Sequence, residues 1–82
     1  MSEKFIRVQL EMSPESLKRI DQLRGDTGIR TRKELFENAL SLFAKAVEQS
    51  RSGRRVAFID PEHDRYREFS MPALETAFKK KH

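Results

Sequence analysis

Three polar side chains that can each make several hydrogen bonds occur at every second position near the N-terminus: Arg7, Gln9 and Glu11. The residues that alternate with them are apolar, namely Ile6, Val8, Leu10 and Met12. This alternation predicts a β-strand over residues 5–12 with one wet face and one dry face. In the major groove of DNA, arginine can donate two hydrogen bonds to guanine, glutamine can pair with adenine, and a carboxylate can accept from the amino group of cytosine. An ordinary solvated strand face would show the same pattern.

A second group of polar residues stands at a predicted helix start: Thr31, Arg32 and Lys33. Thr31 and Glu34 have the spacing of a capping box, in which the threonine caps the helix and the glutamate reaches back. N–H groups at a helix N-terminus, with the helix dipole behind them, bind anions. The three residues are therefore candidates for an anion contact, although a capped helix with exposed basic residues would look the same.

The predicted strand has no partner nearby in the sequence, because the residues that follow it have the pattern of two helices. A lone strand leaves its backbone N–H and C=O groups unpaired. A second copy of the strand, paired antiparallel about a two-fold axis, would form a two-stranded ribbon, and such a ribbon fits the major groove. The dry strand face and the apolar stripe of the second helix predict a dimer interface formed by Ile6, Val8, Leu10, Met12, Phe36, Leu40 and Phe43.

Start and stop signals outline the two helices. Ser13 can cap the first helix, Pro14 suits its first turn, and Gly28 is a plausible stop. The second helix is predicted over residues 32–49, where apolar residues recur at helical spacing. Residues 50–53 are polar, end in glycine and are typical of a linker.

The pattern changes after the linker. Residues 55–60 and 66–71 are predicted to form a hairpin around a turn at residues 61–64. Residues 72–78 are predicted to form a short helix, followed by a basic tail. We therefore predict a domain over residues 1–53 and an extension over residues 54–82, which packs on that domain or on a partner.

Composition limits the classes of function. The chain has 82 residues, a formal net charge of +4 and no cysteine. A mild basic excess permits nucleic-acid binding without establishing it. The sequence contains no apolar run of membrane-spanning length, no signal-peptide pattern and no cysteine for disulfides. We therefore expect a cytoplasmic protein with no membrane partner.

Patterns typical of an enzyme are absent. The sequence has no cysteine nucleophile, no glycine-rich phosphate loop and no histidine near both a serine and an acid. His63 lies among acids in D-P-E-H-D, but this spacing matches no metal-ligand motif, so a solvated turn is the simpler interpretation. We expect no catalytic activity, no cofactor and no metal.

Three stretches carry a resemblance to a known family: I-R-V-Q-L-E-M-S-P-E, L-K-R-I-D-Q-L and T-G-I-R-T-R-K-E-L-F-E-N-A-L. Over about residues 4–47 the chain resembles the ribbon-helix-helix family of bacterial DNA-binding proteins, of the Arc, MetJ and CopG type. The resemblance implies a mainly α fold with a short N-terminal strand, in β-α-α order, that forms an intertwined homodimer. The small C-terminal hairpin and helix lie outside it.

The resemblance also implies roles for the two polar groups. Arg7, Gln9 and Glu11 would contact bases in double-stranded DNA, and Thr31, Arg32 and Lys33 would contact phosphate. Glu11 fits least well, because a carboxylate is repelled by phosphates. It would accept a hydrogen bond from cytosine, or pair with Arg7 or Arg30 and stay off the DNA.

Three functions are compatible with these patterns. The first is a sequence-specific transcriptional regulator, most simply a repressor. The second is an antitoxin, whose residues 54–82 would bind a toxin protein. The third is a protein-interaction module that keeps the dimer fold and has lost DNA binding.

Overall fold

The computed structural model describes residues 5–80. Its elements are α1 (Pro14–Thr27), α2 (Arg32–Arg51), β1 (Val56–Asp60), β2 (Arg65–Phe69) and α3 (Pro72–Lys79). Contacts divide the chain within α2 into two units, one ending at Leu35 and the other beginning at Phe36. None of the helices in residues 5–80 is long and apolar enough to span a membrane.

The predicted signals for α1 are confirmed. The Ser13 hydroxyl accepts a hydrogen bond from the N–H of Ser16 at 3.1 Å, which satisfies one of the orphan donors of the first turn. Pro14 occupies the first turn, where its missing N–H costs no helix hydrogen bond. Gly28 ends the helix with φ 74°, a left-handed conformation that glycine adopts without a Cβ clash.

Helix α2 begins where the capping box predicts. The Thr31 hydroxyl accepts from the N–H of Glu34 at 3.0 Å. The helix runs to Arg51, two residues beyond the predicted end, so Ser50 lies in its last turn and is only 3% exposed. The turn follows at Ser52 and Gly53, where Gly53 has φ 84°. The predicted domain boundary at residue 53 stays a prediction.

The N-terminal strand is not confirmed: residues 5–12 carry no strand assignment, and the first element of the described part is α1. A strand is defined by backbone hydrogen bonds to a neighbouring strand, and the prediction assigned that neighbour to a second copy of the chain. The mainly helical class is confirmed, with three helices and one two-stranded sheet among residues 5–80. The β-α-α order and the intertwined homodimer stay predictions.

The C-terminal extension folds as predicted into a hairpin followed by a helix. Strands β1 and β2 pair antiparallel, with Val56 opposite Phe69 and Asp60 opposite Arg65. The Phe58 and Phe69 rings meet edge to face at 5.7 Å between centroids. Asp64 has φ 52° in the turn, a conformation that aspartate tolerates better than most residues.

Arg55 links the base of the hairpin to α3. Its Nη1 lies 2.7 Å from Oε2 of Glu75, and its guanidinium stacks 3.8 Å from the centroid of the Phe78 ring. The same Glu75 oxygen accepts from the hydroxyl of Ser70. Both hydrogen bonds lower the pKa of Glu75, and the one from Ser70 has the larger effect. Leu74 of α3 is buried.

Candidate nucleic-acid interface

The alternating segment is exposed along its whole length. The three predicted base-contact residues, Arg7, Gln9 and Glu11, are all exposed. The apolar residues between them are exposed as well, with Leu10 63% exposed. Water-exposed valine, isoleucine and leucine forgo roughly 1.5–3 kcal/mol per side chain relative to full burial. The apolar residues predicted to form a dimer interface are therefore uncovered in the single chain, and their role stays a prediction.

The predicted dimer residues of α2 are also exposed. Phe36, Leu40 and Phe43 belong to the second unit, and each leaves a substantial part of its side chain open. They follow one another at spacings of four and three residues, which places them along one face of the helix. The structure therefore leaves an apolar stripe on α2 open to a partner, while the identity of these residues as dimer contacts stays a prediction.

The three predicted phosphate-contact residues have different environments in the first unit. Thr31 is the helix cap, as described above. The Lys33 ammonium lies 5.9 Å from the centroid of the Phe5 ring, within cation–π range. Arg32 is bound to an acidic side chain of α1.

That acid is Asp21, which forms a two-point ion pair with Arg32. The Nε atom of Arg32 donates to Oδ1 at 3.1 Å, and Nη2 donates to Oδ2 at 2.9 Å. Arg24 donates to the same carboxylate through Nη1 at 3.0 Å. Hydrogen bonds from Arg32, which has the larger effect, and from Arg24 lower the pKa of Asp21 from its ordinary 3.8 to about 2. The hydrogen bonds to Asp21 in turn raise the pKa of Arg32. The carboxylate is therefore ionised throughout the physiological pH range.

Arg24 connects this cluster to the turn between the helices. Its Nη2 donates to the backbone carbonyl of Arg30, the residue before the cap of α2. Its Nε is buried and has no hydrogen-bond partner among residues 5–80. A chain of contacts thus leads from the turn through Arg24 and Asp21 to Arg32 at the start of α2.

Sequence reasoning missed three residues of this region: Asp21, Arg24 and Phe5. From the sequence, Asp21 resembles any other acid on a helix surface, because nothing in its local pattern marks a partner eleven positions away. Phe5 lies two positions before Arg7, so the alternation of a strand could have predicted it on the same face as Arg7. In the structure Phe5 is 85% exposed.

No ion pair within residues 5–80 joins the two polar groups. Neither Arg7 nor Arg30 forms an ion pair with Glu11 in this part of the chain, so the alternative pairings predicted for Glu11 are not seen in the single chain. In the C-terminal turn, Nδ1 of His63 lies 2.8 Å from Oδ2 of Asp60, a local contact of the turn.

Comparison with known proteins points to one family. A family model described as ribbon-helix-helix protein, copG family, matches residues 6–47, just over half of the chain. The match covers the alternating segment, α1, the turn and α2 as far as Val47. Neither the curated proteins nor the solved structures contain a match to the chain.

Proposed function

The chain belongs to the copG family of ribbon-helix-helix proteins, and on that premise we propose that it is a sequence-specific DNA-binding transcriptional regulator that acts as a repressor. Members of this family bind DNA and act as dimers, typically as regulators or antitoxins. The proposal rests mainly on which residues the family model matches. The match includes both polar groups and all the exposed apolar side chains of residues 6–12.

In the proposed dimer, two copies of residues 5–12 pair as an antiparallel ribbon. Its dry face, built from Ile6, Val8, Leu10 and Met12, would be covered together with the open stripe of α2. Its wet face would then present Arg7, Gln9 and Glu11 twice, once from each subunit. Base contacts of this kind specify a sequence, whereas phosphate contacts position the protein.

The start of α2 would provide the phosphate contact. The N–H groups of its first turn point out of the helix end with the dipole behind them. Lys33 adds a compact positive charge at that end. The ring of Phe5 lies against this ammonium, so the same lysine is close to the first residue of the proposed ribbon.

Lys33→Ala tests this phosphate contact. We expect the substitution to weaken binding to all DNA sequences alike, because a phosphate contact carries no sequence information. The magnitude of the negative slope of log affinity against log salt should fall by about 0.9 for each phosphate contact that the substitution removes, and a dimer has two such sites. Fluorescence anisotropy on a selected site and on scrambled DNA at several salt concentrations measures both quantities.

Lys45→Ala is the matched control for Lys33→Ala. It removes the same charge from the same helix, about 18 Å further along its axis at 1.5 Å per residue, and its ion pair with Glu48 is exposed and contributes little to stability. The control should leave the salt slope close to that of the wild type. Equal salt slopes for the two variants would show that Lys33 does not contact phosphate.

A second candidate function is that of an antitoxin, and the hairpin favours it. Phe58 lies on one face of the hairpin, and the cross-strand pair Ile59 and Tyr66 lies on the other. All three side chains are largely exposed. Large apolar groups exposed on both faces are typical of a segment that binds another protein. A toxin gene adjacent to the gene for this chain would favour this function.

A further inference from the structure

The contact between α1 and the start of α2 is a connected set of three side chains. Arg24 is anchored on the Arg30 carbonyl and binds Asp21, and Asp21 binds Arg32. The set carries two positive charges and one negative charge, so its net charge is positive. We name these three residues the Arg24–Asp21–Arg32 cluster.

The edge of the Arg32 guanidinium that binds Asp21 determines which of its N–H groups remain outside the pair. The guanidinium has five N–H groups, and the pair uses Nε and Nη2, which is a side-on approach. Both N–H groups of Nη1 and one of Nη2 lie outside this pair. One N–H of Nη1 and the remaining N–H of Nη2 form the end-on edge, whose paired donors match two oxygens of a phosphate.

We propose that Asp21 is a positioning residue that orients Arg32 so that the end-on edge of its guanidinium binds a phosphate of the DNA backbone. This inference rests on the proposed function and adds to it a residue that the family match does not assign. Asp21 itself does not touch DNA. It acts through Arg32, and Arg24 holds it in place from the turn.

The physical reason is the entropy of a long side chain. A free arginine side chain loses rotamer entropy when it is fixed in one conformation. In the cluster, part of this entropy is already lost in the unbound protein, because the two hydrogen bonds between Arg32 and Asp21 fix the plane of the guanidinium. The opposite effect, competition between Asp21 and phosphate for Arg32, would make the acid unfavourable for binding.

Asp21→Asn distinguishes these two effects. Asparagine has nearly the same shape, and the ion pair is partly exposed, with side chains 39% and 51% exposed, so the variant should fold. We expect it to bind DNA more weakly than the wild type. The magnitude of its negative salt slope should fall by up to about 0.9 for each subunit, which corresponds to one weakened phosphate contact. A purely structural role would lower unfolding stability without changing that slope.

Asp26→Asn is the matched control, because it removes an acid from the same helix and Asp26 makes no ion pair within residues 5–80. Removal of a negative charge alone should leave its binding equal to that of the wild type or slightly tighter. Asp21→Asn must therefore bind more weakly than Asp26→Asn. Equal or tighter binding would overturn the proposal and show that Asp21 has no role or competes with phosphate.

Arg32→Ala provides a second test of the same contact. It should lower the magnitude of the salt slope as Asp21→Asn does, and Asp21→Asn added to it should cause no further weakening, because the acid acts only through Arg32. Additive effects would overturn the proposal. If Lys33→Ala changes DNA binding while Asp21→Asn matches its control, this inference fails and the proposed function stands. If the wild type binds no DNA, the proposed function itself fails.

Discussion

Leu10→Lys is expected to abolish the folded dimer. In the single chain Leu10 is 63% exposed, so a lysine there would meet water and cost little. In the proposed ribbon the same position lies on the dry face, where each subunit would bury an unpaired charge. An uncompensated buried charge costs about 3–5 kcal/mol, and the whole stability of a protein is about 5–15 kcal/mol. Two such charges per dimer should leave an unfolded chain.

Gln9→Lys is the control for this prediction, because it adds the same charge at the neighbouring position on the wet face. It should remain a folded dimer. Circular dichroism reports the helices of each variant, and sedimentation equilibrium reports its mass. A folded, stable Leu10→Lys protein, whether monomer or dimer, would contradict the ribbon.

Arg7→Ala is expected to remove sequence discrimination more than affinity. A good two-bond contact to a base contributes about 1–3 kcal/mol of discrimination against the wrong base, and a symmetric dimer would lose two of them. The preference for the cognate site over scrambled DNA should therefore fall by about 2–6 kcal/mol, where each 1.4 kcal/mol is about tenfold. Binding to scrambled DNA should fall less.

Arg19→Ala removes the same charge from the exposed side of α1 and serves as the control. It should lower affinity for the cognate site and for scrambled DNA by the same factor and leave their ratio unchanged. Competition binding at fixed salt gives that ratio for each variant. A ratio for Arg7→Ala equal to that of the wild type would mean that Arg7 does not contact a base.

The local parts of the fold could be predicted from the sequence, because their causes lie within a few residues. Ser13 and Thr31 cap helices through atoms three positions away, and Gly28 supplies the left-handed residue that ends α1. The hairpin follows from two short β-prone runs around a polar turn. The end of α2 lies beyond its prediction, because Ser50 continues the helix although its residue type is typical of a linker.

The non-local parts could not be predicted in the same way. Residues 5–12 have the alternation of a strand, but a strand forms only against a neighbour. The neighbour predicted for them is a second copy of the chain, so the structure of one chain does not show the strand. The pair between Asp21 and Arg32 depends on how α1 and the start of α2 meet across the turn. Residue types alone placed Arg32 at a helix start, and the structure added the acid that binds it.

Sequence-specific DNA binding by a dimer of this chain can be tested in one titration. Binding of the full chain to the DNA upstream of its own gene and to scrambled DNA of equal length should be measured from low to high salt. We expect affinity for both to fall with salt, with a slope near −0.9 for each phosphate contact, and the upstream DNA to bind at least about a thousandfold tighter at physiological salt. Equal binding of the two DNAs at every salt concentration, or no binding to either, would contradict sequence-specific binding and favour a protein-interaction module.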